Sequence, residues 1–227
     1  MLPHSQPPRR SQHWMLGHSP CIRQDHRHRC RIRTGGGILK VLNTPLSEAD
    51  VRSLKLGETI FLSGPVITGR DEMHIRALEY DSEGKDVPED IRGSALFHCG
   101  PIMKQMDDGS WRVIAAGPTT SARMNKLEPE MIERFGIRAI IGKGGMSQEV
   151  AEAMKRCGCV YLAATGGAAI LLAEGLCSCR GCEWLDLGMA EAMWRFDTQK
   201  FGPLIVAMDA EGNSLYEDVR KSLVRDA

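Results

Sequence analysis

Apolar residues recur along this chain in short blocks whose spacing switches between the strand and the helix period. Residues 59–63, 94–98, 111–116, 139–141, 160–164 and 204–208 are runs of apolar and β-branched residues bounded by Gly, Pro or charge, and read as strands. Residues 71–80, 128–135 and 147–156 place apolar side chains three and four apart and read as helices. In the last of these Val150, Met154 and Cys157 share a face behind Ser147 at the N-cap. A shorter helix is expected after Leu46, with Ser47 as N-cap and Asp50 three residues on. Strands alternating with helices predict an α/β domain. The early strands are joined by turns, so the expected sheet is mixed, flanked by helices, and not wholly parallel.

Residues 1–37 break the pattern. They hold seven Arg, one acid (Asp25), five of the seven His and four Pro, and end in Gly35-Gly36-Gly37. This composition cannot build a core, so residues 1–40 are expected to be a basic, disordered tail and residues 41–227 one domain. The formal net charge of zero therefore hides a folded part carrying about −6 and a basic tail. The totals suggest neither a nucleic-acid nor a membrane partner. No apolar run approaches the ~18 residues of a membrane span, and no signal or amphipathic transit segment is found. With eight Cys in a chain of 227 residues and no secretory signal, a reducing, cytoplasmic compartment is expected.

Three segments share one layout, a strand entering a Gly-containing turn and then a helix: 63–71, a turn opening at Gly64-Pro65 and running to Gly69-Arg70-Asp71, 116–123 around Gly117-Pro118-Thr119-Thr120 and ending at Arg123, and 141–147 around Gly142-Lys143-Gly144-Gly145. A fourth, 164–169, has the shape without a charge. Glycine lets the backbone approach a ligand, and the helix that follows aims free N–H groups at it, which together favour anions. With Arg70, Arg123 and Lys143 converging, a dicarboxylate fits best, since each carboxylate takes an Arg fork. None of the turns has the spacing of a nucleotide phosphate loop.

Thr68-Gly69-Arg70-Asp71 with His74 and Arg76, Gly117-Pro118-Thr119-Thr120-Ser121-Ala122-Arg123-Met124, Gly142-Lys143-Gly144-Gly145-Met146, Gly188-Met189-Ala190-Glu191-Ala192-Met193-Trp194 and Met208-Asp209-Ala210-Glu211-Gly212-Asn213 follow one another in order. Together they resemble the β region of class I (iron–sulfur) fumarate hydratases and L-tartrate dehydratases, over about Leu46 to Val219. The resemblance implies a swivelling β/β/α-type domain and a hydro-lyase, interconverting fumarate and malate or acting on tartrate or methylfumarate. It implies a [4Fe–4S] cluster held by a partner α subunit and none in this chain, in an α2β2 assembly. It implies that Arg70, Arg123 and Lys143 contact substrate carboxylates and that Thr119 is the base at C3. Asp71, His74 and Thr120 are then expected just behind these groups. A threonine hydroxyl is a poor base unless its proton is drained, and an Asp71–His74 pair on one helix face is a candidate for that help.

Cys177-Ser178-Cys179-Arg180-Gly181-Cys182 is the remaining chemical signal, spaced like a zinc or iron–sulfur ligand set. The resemblance assigns no metal here, and the alternative is structural thiols; Cys99 is expected in the core. Two other function classes stay open: a non-catalytic anion-binding or regulatory module, and a small metal-binding interaction protein built on the cysteines and the basic tail.

Overall fold

The computed structural model describes residues 31–34, 37–164 and 169–225, with side chains from 40 to 164 and from 172 to 223. The strands are β1 (Arg31–Thr34), β2 (Gly37–Asn43), β3 (Thr59–Gly69), β4 (Ala95–His98), β5 (Ile102–Gln105), β6 (Trp111–Ala115), β7 (Ala139–Gly142), β8 (Val160–Ala163), β9 (Leu176–Glu183) and β10 (Met193–Met208). The helices are α1 (Glu48–Arg52), α2 (Asp71–Ser82), α3 (Glu128–Phe135), α4 (Gln148–Cys157), α5 (Ala169–Glu174) and α6 (Leu215–Arg225). The large sheet runs β1-β2-β3-β4-β7-β8-β10-β9, and β10 also pairs with β3. That extra pairing closes β3, β4, β7, β8 and β10 into a five-stranded ring. Strands β2, β3, β4, β7 and β8 run parallel to their neighbours in that series, while β10 is antiparallel to β3, β8 and β9. The sheet is mixed, as expected, but closed.

Closure explains the apolar runs. Phe97, Ile141 and Leu162 point into the ring, against Ile60, Leu62, Trp194, Phe196, Phe201 and Leu204. Their neighbours Leu96, Ile140 and Tyr161 point outward, against Met73 and Ala77 of α2, Met131 and Ile132 of α3, and Val150 and Met154 of α4. Strands buried on both faces lose the alternating pattern and become continuous apolar stretches. The helices end where chemistry dictates. Ser47 and Asp50 form a reciprocal capping box on α1, and α3 and α4 stop at left-handed Gly136 and Gly158.

Four expectations change. Residues 31–34 and 37–40, assigned by composition to the tail, form an antiparallel strand pair, β1 with β2, and β2 then pairs with β3; residues 1–30 lie outside the described residues. Gly64-Pro65 is inside β3 and not a turn: Gly64 has φ +111°, Thr198 Oγ1 donates to its carbonyl at 2.8 Å, and the true turn is Gly69-Arg70. The strand expected at 111–116 pairs with β5 in a separate hairpin, outside the large sheet. The strand expected at 204–208 is the end of a sixteen-residue strand whose first half, carrying Arg195, Asp197 and Lys200, has too many charges to register as an apolar run. The fourth turn, 165–168, lies outside the described residues. Among the described residues no helix is long and apolar enough to cross a membrane.

Candidate active site

Parallel strands put their carboxyl ends on one edge, and the cationic turns stand there. Arg70 follows the last residue of β3 and occupies the N-cap of α2 in extended geometry. Its Nη2 lies 3.2 Å from Glu191 Oε1, and the other oxygen of Glu191 accepts from the Glu72 amide at 3.1 Å, so one carboxylate ties the guanidinium to the first turn of α2. A Cβ on Gly100 would come within 2.9 Å of Arg70 Nη1, so glycine is what leaves room for the guanidinium. Arg123 forms a two-point ion pair with Asp71 (Nη2–Oδ2 2.8 Å, Nε–Oδ1 3.2 Å). Its side chain is half exposed.

The backbone of the Thr119 segment is tied on both sides. The Thr119 amide donates to the His98 carbonyl at 2.7 Å, at the end of β4. The Lys143 amide donates to the Thr119 carbonyl at 3.3 Å, and the Ser121 amide returns a bond to the Lys143 carbonyl at 3.0 Å. Thr120 and Lys143 thus form a parallel bridge that stitches this segment to the turn after β7. Gly69 is in register with His98, which completes the edge. Arg70, Thr119, Arg123 and Lys143 therefore stand along one rim, with Arg70 largely buried, Thr119 partly buried and Arg123 and Lys143 exposed. A cavity of about 160 Å³ bordered by Pro65, Ser94, Arg180 and Arg195 lies instead at the amino end of β4, away from these turns.

Below the rim is a buried polar group that sequence reasoning missed. Glu128, the first residue of α3, points its Oε2 at His74 Nε2 (3.1 Å) and His98 Nε2 (3.0 Å), and all three side chains are fully buried. The His74 contact is a hydrogen bond; His98 Nε2 is at similar distance but off line, and Glu128 Oε1 has no partner. His74 Nδ1 reaches the Arg70 carbonyl at 2.7 Å. His98 Nδ1 meets Ser121 Oγ at 2.9 Å, and Tyr161 donates its hydroxyl to the same oxygen at 3.0 Å. Burial alone would raise the Glu128 carboxyl, yet the two imidazoles hold it down at about 2. Burial also works against a charged His74, but Glu128 overrides it and the pKa rises; for His98 burial wins and the pKa falls.

His74 thus bonds Glu128 and not Asp71, because α2 turns His74 inward and Asp71 toward Arg123. Arg76 pairs with Asp186 at 2.6 Å. The signal for Glu128 was only a carboxylate opening a helix, flanked by the exposed Lys126 and Glu130, so nothing local marked it as buried. His98 stood at the end of an apolar strand, and Glu191 lay inside Gly188–Trp194.

Residues 27–219 match the family described as Fumarase C-terminus. The chain belongs to that family. The match begins at residue 27, inside the stretch that composition assigned to the tail. A protein of Methanocaldococcus jannaschii named "Putative L(+)-tartrate dehydratase subunit beta" is 46% identical over 179 residues, covering 78% of this chain and 91% of that one. The L(+)-tartrate dehydratase subunit beta of Escherichia coli K12 is 36% identical over 182 residues, covering 80% and 89%. A Geobacillus stearothermophilus protein named "Putative fumarate hydratase class I" is 41% identical over 181 residues, 80% of this chain but only 34% of its own length. Hydro-lyase β subunits, or the corresponding part of a longer hydro-lyase, are therefore what this family member resembles along its folded length.

The cysteines lie apart from this edge. Cys179 and Cys182 on β9 rest partly buried against the inner core, and Cys177 is exposed. Among the described residues the three thiols do not come together within 4.8 Å as a ligand set, whereas His74, His98 and Glu128 do. Burial raises the Cys179 and Cys182 thiols, opposite to what a thiolate ligand needs. Cys99 is buried, its thiol pushed up to about 12 by desolvation.

Proposed function

We propose that the chain is the β subunit of an iron–sulfur-dependent hydro-lyase that interconverts fumarate and malate by reversible hydration. What supports this reading is that the segments carrying Arg70, Thr119 and Lys143 are tied to one another at the carboxyl edge of β3, β4 and β7, with Arg123 paired to Asp71 beside Arg70. Dehydrating a β-hydroxy acid calls for cations on the carboxylates, a base beside the carbon that loses a proton, and a Lewis acid on the departing hydroxyl. Arg70, Arg123 and Lys143 supply the first, and Thr119 is assigned the second. Each guanidinium already carries a carboxylate, Glu191 on Arg70 and Asp71 on Arg123, at the geometry an incoming carboxylate would use or share. Supporting roles are assigned to Asp71, which pairs with Arg123, to the buried His74, which bonds the Arg70 carbonyl, and to the exposed Thr120 through its bridge to Lys143.

The names of the related β subunits support a cluster carried by a separate α subunit. A [4Fe–4S] cluster supplies the Lewis acidity that this chain's own side chains lack. The site is then completed at an α–β interface within an α2β2 assembly. L(+)-tartrate dehydration is the second reading, favoured by the names of the two chains matched over about nine-tenths of their length.

Co-expression with a cluster-bearing α chain, followed by ultraviolet assay of alkene consumption with fumarate and of dehydration with L-tartrate and methylfumarate hydrates, tests and separates these readings. Arg123→Ala and Thr119→Val are expected to abolish most of kcat/KM. No turnover above the isolated chain with any substrate would leave the anion-binding module as the surviving account.

A further inference from the structure

With Glu128 ionised, one assignment of the hydrogen-bond directions satisfies the pairs below the rim. His74 then faces two acceptors, the Arg70 carbonyl at Nδ1 and a Glu128 carboxylate oxygen at Nε2, and carries a proton on both ring nitrogens. Tyr161 donates to Ser121 Oγ, which leaves the Ser121 proton for His98 Nδ1 and puts the His98 proton on Nε2, facing Glu128. The chain of donors then runs Tyr161 to Ser121 to His98, whose Nε2–H faces Glu128 Oε2 at 3.0 Å off the hydrogen-bond line, and from the opposite side His74 donates to both Glu128 and Arg70. One carboxylate collects both arms. One arm ends on the carbonyl of Arg70. The other ends on Ser121, whose backbone grips Lys143, and on His98, whose carbonyl grips Thr119.

We propose that Glu128 is a positioning residue: its carboxylate, buried between a His74 imidazolium and a neutral His98, locks Arg70 and the Thr119–Arg123 segment into mutual register. A buried ion pair is a poor source of net stability, since desolvating both charges offsets much of their attraction. What it supplies is a fixed geometry, because a charge-assisted bond in a closed interior tolerates little displacement. A shift of about 1 Å in catalytic groups costs on the order of a hundredfold in rate. Coordination of a divalent metal by the same three donors is the competing explanation of their convergence. It requires both Nε2 atoms to be bare, whereas the Arg70 contact is equally served by either state. The proton assignment needs nothing beyond the chain. This inference rests on the reading of Arg70 and Thr119 as site residues, and its test is independent of turnover.

Ring-nitrogen NMR of the full chain labelled with ¹⁵N-histidine, recorded near pH 8, about 1.5 units above the ordinary histidine value, reads the states directly; His74→Gln and His98→Gln assign the signals. The expected result is imidazolium at His74 and an Nε2–H tautomer at His98, with no bound metal by elemental analysis. In Glu128→Gln, His74 becomes neutral, and amide exchange at Thr119 and His74 rises about tenfold or more while Ile140 in β7 stays protected. Glu128→Asp should restore part of that protection. If Glu128→Gln does not fold, Ser121→Ala tests the His98 arm, with exchange rising at Thr119 alone. A neutral His74 in the parent chain, stoichiometric zinc or iron lost with Glu128, or unchanged exchange at Thr119 in a folded variant would overturn the proposal. If the states and exchange rates are as expected but the reconstituted enzyme turns over none of the acids, the functional reading fails and the network stands.

Discussion

Gly142 ends β7 directly beneath the Lys143 turn, and its replacement by alanine is the sharpest probe of how tightly that turn is set. Gly142 does not have a left-handed φ, so an added methyl is not penalised by the backbone and acts only through what it touches. The methyl would fall well inside 3.0 Å of Ser121 Oγ and 3.1 Å from the Tyr161 oxygen. Ser121 must therefore rotate away or its segment must retreat by on the order of 1 Å in an interior packed at crystal density. Overpacking of this kind costs about 1–3 kcal/mol. Losing the Ser121 contact leaves the Tyr161 hydroxyl and His98 Nδ1 unpaired, a further penalty of about 1–3 kcal/mol. Gly142→Ala should thus destabilise by about 2–6 kcal/mol in urea unfolding. Ser121→Ala alone should cost only the hydrogen-bond share, about 1–3 kcal/mol. The Ser121 Cβ lies 3.4 Å from the new methyl, so the double variant relieves the worst of the clash. Its destabilisation should fall short of the sum of the two singles by at least about 1 kcal/mol. Additive costs, or a Gly142→Ala protein as stable as the parent, would refute the close approach of Ser121 on which this rests.

The Glu128 carboxyl is depressed from 4.5 to about 2, so its stabilisation is complete above pH 4.5 and is lost as pH falls toward about 2. The parent should lose about 3 kcal/mol over that window that Glu128→Gln does not lose, read from urea midpoints at stepped pH. His74 is shifted the other way, so its share is present below 6.5 and fades as pH rises through its folded value; the parent, and not Glu128→Gln, should weaken on the alkaline side. Glu191→Gln removes the carboxylate that orients Arg70 and should raise KM for the dicarboxylate about tenfold in the reconstituted enzyme, about 1.4 kcal/mol. Arg76→Ala, whose guanidinium is engaged by Asp186, should leave KM within about twofold in the same assay, in contrast to Arg123→Ala. An equal loss for both would dissociate the rim from substrate binding.

Much of this molecule is written locally. The capping box of Ser47 and Asp50 and the apolar faces of α3 and α4 follow from short-range spacing, because caps and amphipathic stripes are decided within a few residues. The runs Ala95–His98, Ala139–Gly142 and Val160–Ala163 announce strands because both their faces are buried. The Gly-cation turns are visible because glycine and charge at a strand end are unusual together. What required the tertiary structure is pairing. The ring closes because β10 carries on for sixteen residues through a bulged, partly charged half that has no local strand signal, and because β3 continues through Gly64-Pro65. Residues 31–40 enter the sheet only because β3 offers an edge. Glu128 finds His74 across 54 positions, and buried polar residues have no periodicity to announce them. Sequence by itself determined which segments become strands and helices and which residues carry charge to their ends. Only the folded chain decided which of those charges meet, since hydrogen bonds between distant side chains are fixed by strand order and register, which no local pattern contains.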